Sequence, residues 1–193
     1  MHDKSLLRTA GINKNLKDLD YKQIKNLEVG SWLGSEWSGE KIPTFMEVLD
    51  LLPRNKKLFV EIKEKDLSLL VIEEIKKASL PKNQITIISF YESIIKEMKE
   101  KTDLECNLLV SFSQQNISAK SVSERLLFLN ADGVGAENHK NLNESFMKKI
   151  KDLNKEVHVW TVDDNEALRY RDMGISSITT NVPKKIKEII QKS

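Results

Sequence analysis

A single cysteine, Cys106, excludes an internal disulfide and any cysteine-ligated metal cluster, and so fits a reducing, cytoplasmic setting. No apolar run approaches the ~20 residues that a membrane span needs. Met1 leads straight into His2, Asp3 and Lys4, without the apolar stretch of a signal peptide. Neither sign of charge is in excess. The 31 basic and 29 acidic residues are scattered along the chain, leave a net charge of +2, and form no basic stripe for nucleic acid. Glycine-rich nucleotide signatures are missing too, with neither G-x-G-x-x-G nor a phosphate-loop lysine.

What is present is enough apolar residue, 39% of 193, to build one sizeable core. Residues 3–43 are polar and turn-rich, with Gly11, Gly30, Gly34 and Gly39. The character changes at Thr44, which with Glu47 forms a capping box ahead of a helical stripe of Phe45, Val48, Leu49 and Leu52.

From there, short apolar strands alternate with amphipathic helices. The expected strands are Leu58–Lys63, Ile85–Phe90, Asn107–Phe112, Asp132–Ala136, Val157–Val162 and Ser177–Asn181. Phe146, Ile150 and Leu153 mark one helix face, and Ile186, Ile189 and Ile190 another. Asp164 is placed to cap a helix that Gly174 ends.

Repeated strand–helix units of this size imply parallel strands, because a parallel crossover needs a helix-sized connection. Six such strands fit a doubly wound sheet or most of an eight-stranded barrel. Polar residues gather where strands end: Glu61 and Lys63, Ser89, Ser111, Thr161 and Asp163, Thr180 and Asn181. Barrel active sites are assembled from several strand C-termini, so this distribution favours the barrel.

Read in order, six segments resemble the glycerophosphodiester phosphodiesterase family. His2-Asp3 with Leu7-Arg8-Thr9 is similar to its H-D…L-x-R-T signature. Gly30-Ser31-Trp32 and Gly39-Glu40-Lys41-Ile42-Pro43-Thr44 resemble its G-S-W…G-E-x-I-P-T stretch. Glu61-Ile62-Lys63 resembles its E-I-K strand and Ser89-Phe90 its S-F strand. Val159-Trp160-Thr161-Val162-Asp163 resembles V-W-T-V-N, and Thr180-Asn181-Val182-Pro183 the T-D/N-x-P ending. Each piece alone is weak, whereas six in the family's order are specific. Two departures are small: Ala10 stands where a second threonine is usual, and Asp163 where asparagine is usual.

The resemblance implies a (β/α)8 barrel of the phospholipase-C-like phosphodiesterase type, with residues 44–193 as barrel and residues 1–43 as a loop-rich insertion over its mouth. The family's H-R-G, P-E-N-T and E-x-D segments do not occur before His2. The expectation is therefore an incomplete barrel of about six βα units, lacking the first two strands.

The implied reaction, part of lipid and glycerol metabolism, is hydrolysis of a glycerophosphodiester to glycerol 3-phosphate and an alcohol. A divalent cation, Ca²⁺ or Mg²⁺, neutralises the phosphate oxygens, and hard cations take carboxylate ligands. Histidine moves protons near neutral pH. The resemblance gives His2 the acid/base role, Glu61 a metal-ligand role and Lys63 a phosphate oxygen. Trp160 and Phe90 become walls of the pocket. Alternation along the strand turns Val60 and Ile62 outward and Glu61 and Lys63 inward, where a charged pair is costly unless used.

Trp32 and Trp37 fall in the insertion, where anchoring it and touching substrate are equally open roles, and His139 and His158 are assigned to structural or surface positions. With one carboxylate and one histidine of the family's set, the chain alone is expected to be inactive. The other reading is a non-catalytic remnant of the same fold that at most binds a ligand. Unpaired edges at Leu58–Lys63 and Ser177–Asn181 imply self-association.

Overall fold

The computed structural model of the protein describes residues 1–78 and 80–191. Packing divides the chain into two compact units, Met1–Leu51 and Leu52–Ser193.

The first unit is built from turns and short helices, α1 (Leu7–Ala10), α2 (Tyr21–Ile24) and α3 (Phe45–Asp50), with single antiparallel bridges at Ser5–Asn15 and Glu28–Lys41. Local side-chain chemistry sets these boundaries. Reciprocal capping boxes start α2 (Asp20 with Gln23) and α3 (Thr44 with Glu47). α1 stops at Gly11, whose φ of 69° suits a residue without a side chain. Arg8 pairs with Asp3 and lies over the Trp32 ring, 4.4 Å from its centroid.

The second unit alternates strand and helix throughout. In chain order it runs β1 (Leu58–Glu61), α4 (Ser68–Ala78), β2 (Ile85–Ser89), α5 (Glu92–Lys101), β3 (Glu105–Val110) and α6 (Ala119–Leu129). It continues with β4 (Gly133–Glu137), α7 (Glu144–Lys151), β5 (Glu156–Trp160), α8 (Glu166–Asp172), β6 (Ser177–Ile178) and α9 (Pro183–Gln191). All neighbouring strands are parallel and lie in the order β1-β2-β3-β4-β5-β6. This is the incomplete (β/α) barrel expected from the sequence, with β1 and β6 as the outer strands among the described residues.

The core lies between the outer face of the sheet and the helices. Ile85, Ile87, Cys106, Leu108, Val110, Val134, Ala136, Val157 and Val159 are buried on the strands. They meet buried helix residues that include Ile94, Met98, Leu126, Phe146, Ile150 and Tyr170. Each such side chain contributes roughly 1.5–3 kcal/mol on leaving water, which makes this layer the main source of stability.

The strands depart from the sequence pattern at their ends. β3 and β5 start one or two residues earlier than the apolar run, at Glu105 and Glu156, because the ladder continues under polar side chains. β6 pairs over only Ser177–Ile178; beyond it, isolated bonds such as Val162 N–H to Thr179 O replace a regular ladder. The N-cap of α8 is Asn165, without a side-chain cap bond, rather than the expected Asp164, which lies one residue earlier and accepts from the Glu166 N–H at 2.9 Å; Gly174, at φ 69°, follows its last turn. No helix among the described residues is long and apolar enough to cross a membrane.

Candidate active site

The curl of the sheet is read from side chains that touch across it. In a flat sheet, β1 and β5 would stand four strand spacings, about 19 Å, apart. Instead the Phe59 ring on β1 meets the His158 imidazole on β5, with centroids 5.4 Å apart and planes at 73°. Phe90, just past β2, meets Trp160 at the end of β5 with centroids 5.6 Å apart and planes at 82°. The sheet is therefore concave, with these four residues on its inner face.

Side chains two apart on a strand share a face. Glu61 thus follows Phe59 onto the concave face at the C-terminal end of β1, where it pairs in register with Ile88. Lys63 lies just beyond, its Nζ 3.4 Å from Glu61 Oε2. Ile62 between them is buried on the helix side, and Val60 is half-buried. Both charged side chains keep partial exposure, 27% for Glu61 and 33% for Lys63, so neither bears the full cost of a buried charge.

Trp160 is held rather than free. Its Nε1 donates to Gly135 O at 2.9 Å, and a Cβ on Gly135 would fall 2.6 Å from Leu109 Cδ2 and 3.7 Å from the indole. The tight approach at Gly135 is therefore to the Leu109 side chain, while the indole lies at ordinary contact distance. The backbone around it is tied in turn: Asn138 N–H donates to Trp160 O, and Tyr170 OH donates to Asn138 Oδ1. Phe90 packs its ring on the indole, whereas Ser89 before it is wholly buried, donating to Ile62 O and accepting from the Tyr91 N–H. Ser89 is a structural residue.

Glu137 was not singled out by the sequence. It ends β4 beside Trp160 in register and follows Gly133 and Gly135 onto the concave face. Its carboxylate accepts from Ser111 Oγ, Ser113 Oγ and the Ser113 N–H at 2.6–2.9 Å. Burial alone would raise its pKa, but these donors, chiefly Ser113, bring it below the ordinary value. The available signal was the alternation Gly133, Gly135, Glu137, in which two empty positions precede a carboxylate at a strand end.

Asp163 holds the next loop. It accepts from Thr180 Oγ1, Asn181 N–H and Asn181 Nδ2 at 2.7–2.8 Å, and Asn181 above all lowers its pKa. A carboxylate accepts all three bonds, which accounts for Asp at this position.

His2 belongs to the first unit, where its Nδ1 lies 3.0 Å from Asp3 Oδ1 and its side chain is 82% exposed. His139 stacks on Phe112, with centroids 5.3 Å apart, and its Nδ1 accepts from the Asn141 N–H at 3.1 Å. His158 is buried in the concave face below Trp160, where burial lowers its pKa.

Among the described residues, one group of carboxylate and imidazole atoms is close enough to hold a metal ion: Glu105, Glu156 and His158, with ligand atoms all within 4.8 Å of one another. Glu105 and Glu156 open β3 and β5. The group therefore lies at the N-terminal ends of the strands, opposite Glu61, Trp160 and Glu137. As for Glu61, its exposed carboxylate oxygens are of the type a hard divalent cation accepts, and such a cation would compete with Lys63 for them.

Comparison with known proteins gives a consistent picture. The sequence model described as "Glycerophosphoryl diester phosphodiesterase family" matches residues 1–185. A glycerophosphodiester phosphodiesterase of Bacillus subtilis (strain 168) is 30% identical over 204 residues, covering 95% of this chain and 68% of the relative. Another of that name, from Caldanaerobacter subterraneus subsp. tengcongensis, is 24% identical and is covered over 79% of its length. Among solved structures, an Oleispira antarctica phosphodiesterase in complex with the product sn-glycerol-3-phosphate superimposes with a TM-score of 0.86 at 24% identity, over 99% of this chain and 78% of that one. The glycerophosphodiester phosphodiesterase of Thermotoga maritima gives 0.75 at 19% identity, over 100% and 78%. At these identities the structural likeness shows a shared fold.

Proposed function

Because the chain belongs to the glycerophosphoryl diester phosphodiesterase family, we propose that its site handles glycerophosphodiesters, and that the reaction it serves is hydrolysis to glycerol 3-phosphate and an alcohol. The observation that carries this reading is the clustering of Glu61, Lys63, Phe90 and Trp160 at strand C-termini on one concave face. That is where a barrel of this kind puts its chemistry.

In this reading Glu61 is a ligand of a divalent cation, Ca²⁺ or Mg²⁺. The bound ion would supply Lewis-acid neutralisation of the phosphate oxygens. Lys63, a compact ammonium, holds a non-bridging phosphate oxygen. Trp160 and Phe90 give the glycerol carbons an apolar wall. His2 carries the acid/base role of its motif.

A second reading, ligand binding without turnover, is favoured by the histidine inventory. The chain has three, and the two besides His2 are engaged in stacking on Phe112 and in the interior below Trp160. One histidine leaves only one side of the reaction served.

The discriminating experiment follows glycerol 3-phosphate release from glycerophosphocholine by the purified chain with Ca²⁺ or Mg²⁺, for wild type and Glu61→Gln. Turnover lost in Glu61→Gln supports the enzyme. Metal-dependent binding of glycerol 3-phosphate without release supports the second reading. Release that survives Glu61→Gln removes Glu61 from the site.

We also propose that copies of the chain associate through β1 and β6, the outer strands of the sheet among the described residues.

A further inference from the structure

The far end of the strands holds a set of groups that the proposed reaction does not use. His158 is 7% exposed. Its Nδ1 lies 2.8 Å from Ser177 Oγ, and its Nε2 lies 3.1 Å from Glu156 Oε2. A ring nitrogen anchored to an oxygen on one side, with the other turned toward carboxylates, is the arrangement in which histidine ligates metals.

Glu105 completes the group, with all three ligand atoms within 4.8 Å of one another. Two carboxylates and an imidazole converge here. Lys57 faces them, its Nζ 3.4 Å from Glu105 Oε2. Lys99, which lines the same side, is paired with Asp132 at 2.8 Å.

Asn107 supplies an independent observation. Its side chain is wholly buried and points into the group, with Nδ2 3.0 Å from His158 Nε2 and 3.3 Å from Glu105 Oε1. Its Oδ1 has no hydrogen-bond partner. An orphaned buried amide oxygen costs on the order of 1–3 kcal/mol. A half-turn of that amide exchanges its two ends and brings the oxygen to face Nε2 and the carboxylates. Glu105 and Glu156 also line a cavity of about 330 Å³, together with Asp132 and Lys99.

We propose that Glu105, Glu156 and His158, with Asn107 Oδ1 as the fourth ligand, form a binding site for a divalent transition-metal ion at the N-terminal end of the barrel, separate from the mouth. One nitrogen and three oxygens suit a borderline ion such as Zn²⁺ better than Ca²⁺ or Mg²⁺, which favour all-oxygen shells. Glu156 is half exposed and Glu105 about a quarter, so both can close the gap from 4.8 Å to tetrahedral spacing without moving the strands.

The test titrates the wild-type chain with ZnCl₂ in competition with a chromophoric chelator, alongside Glu156→Gln, His158→Gln and Glu61→Gln. Glu156→Gln alters an exposed side chain and keeps the fold, which circular dichroism checks. The expected result is one zinc per chain, at least ~10-fold weaker in Glu156→Gln and in His158→Gln and unchanged in Glu61→Gln. Zinc affinity that is insensitive to Glu156→Gln, or that falls instead with Glu61→Gln, overturns the proposal. So does a wild type that competes for no zinc. None of these outcomes depends on hydrolysis, so the site and the reaction fail separately.

Discussion

Phe59 and His158 sit on strands four places apart in the sheet, yet their rings touch edge to face at 5.4 Å. That contact requires the sheet to curl. It also sets the inner face from which Glu61 and Trp160, each two residues further along its strand, reach the C-terminal end. Replacing Phe59 with alanine removes an aromatic pair worth ~0.5–1.5 kcal/mol plus part of a ring's burial. A total loss of about 2 kcal/mol is expected, seen as a lower urea midpoint at unchanged slope. An unchanged midpoint would mean that the contact does not help hold the curl.

Trp160 combines a hydrogen bond to Gly135 with the packing of Phe90. Trp160→Phe keeps a ring but loses the donor, and Trp160→Ala loses both. Binding of glycerol 3-phosphate should weaken in that order, by roughly tenfold for alanine if the indole contributes about 1.4 kcal/mol as an apolar wall. Calorimetry measures it, and equal affinities in all three proteins would take Trp160 out of the pocket.

Two carboxylates give an acid limb to stability. Asp163 is held below its ordinary pKa by Asn181 and Thr180; at Glu137, burial acts upward but the donors Ser113 and Ser111 prevail. A lowered pKa in the folded state means that stability is present above the unfolded value and is lost as pH falls through the folded one. Stability should therefore decline from about pH 4 downward, the range where free carboxylates protonate. Asp163→Asn should flatten that decline. Urea titrations at stepped pH read it, and an identical slope in the variant would contradict the assignment.

Cys106 is wholly buried, and burial pushes its thiol up to about 12. The native chain should leave a thiol reagent unreacted at pH 8, and the urea-unfolded chain should consume one equivalent. The raised value also means that stability is intact below the unfolded thiol pKa near 9 and falls as pH climbs from there toward 12. Fast native labelling would place Cys106 on a surface.

If β1 and β6 recruit other copies, sedimentation should show a mean mass that rises with protein concentration. A single monomeric species across the concentration range would remove the self-association proposal.

Much of this arrangement was legible in the sequence for physical reasons. Capping chemistry at Thr44 and Gly174 is local, and the helical stripe at Phe146 and Ile150 follows a fixed period, so both survive without knowledge of the fold. Strand alternation likewise put Glu61 opposite Ile62. What the pattern could not give is which strands face one another. The meeting of Phe59 with His158, of Phe90 with Trp160, and of Glu105 with Glu156 depends on curvature, which leaves no periodic trace. Glu137 escaped because it is conspicuous only once Ser111 and Ser113 are known to converge on it. His158 reads as one more strand residue until Asn107 and Ser177 are brought to its two nitrogens.

The most direct test of the mouth is a calorimetric titration of the chain with sn-glycerol 3-phosphate, with and without Ca²⁺ or Mg²⁺. Wild type and Glu61→Gln are compared under matched conditions. Cation-dependent binding in the wild type, absent in Glu61→Gln, is the predicted result. Binding that ignores the cation, or that survives loss of the Glu61 carboxylate, would contradict the placement of phosphodiester chemistry at this end of the strands.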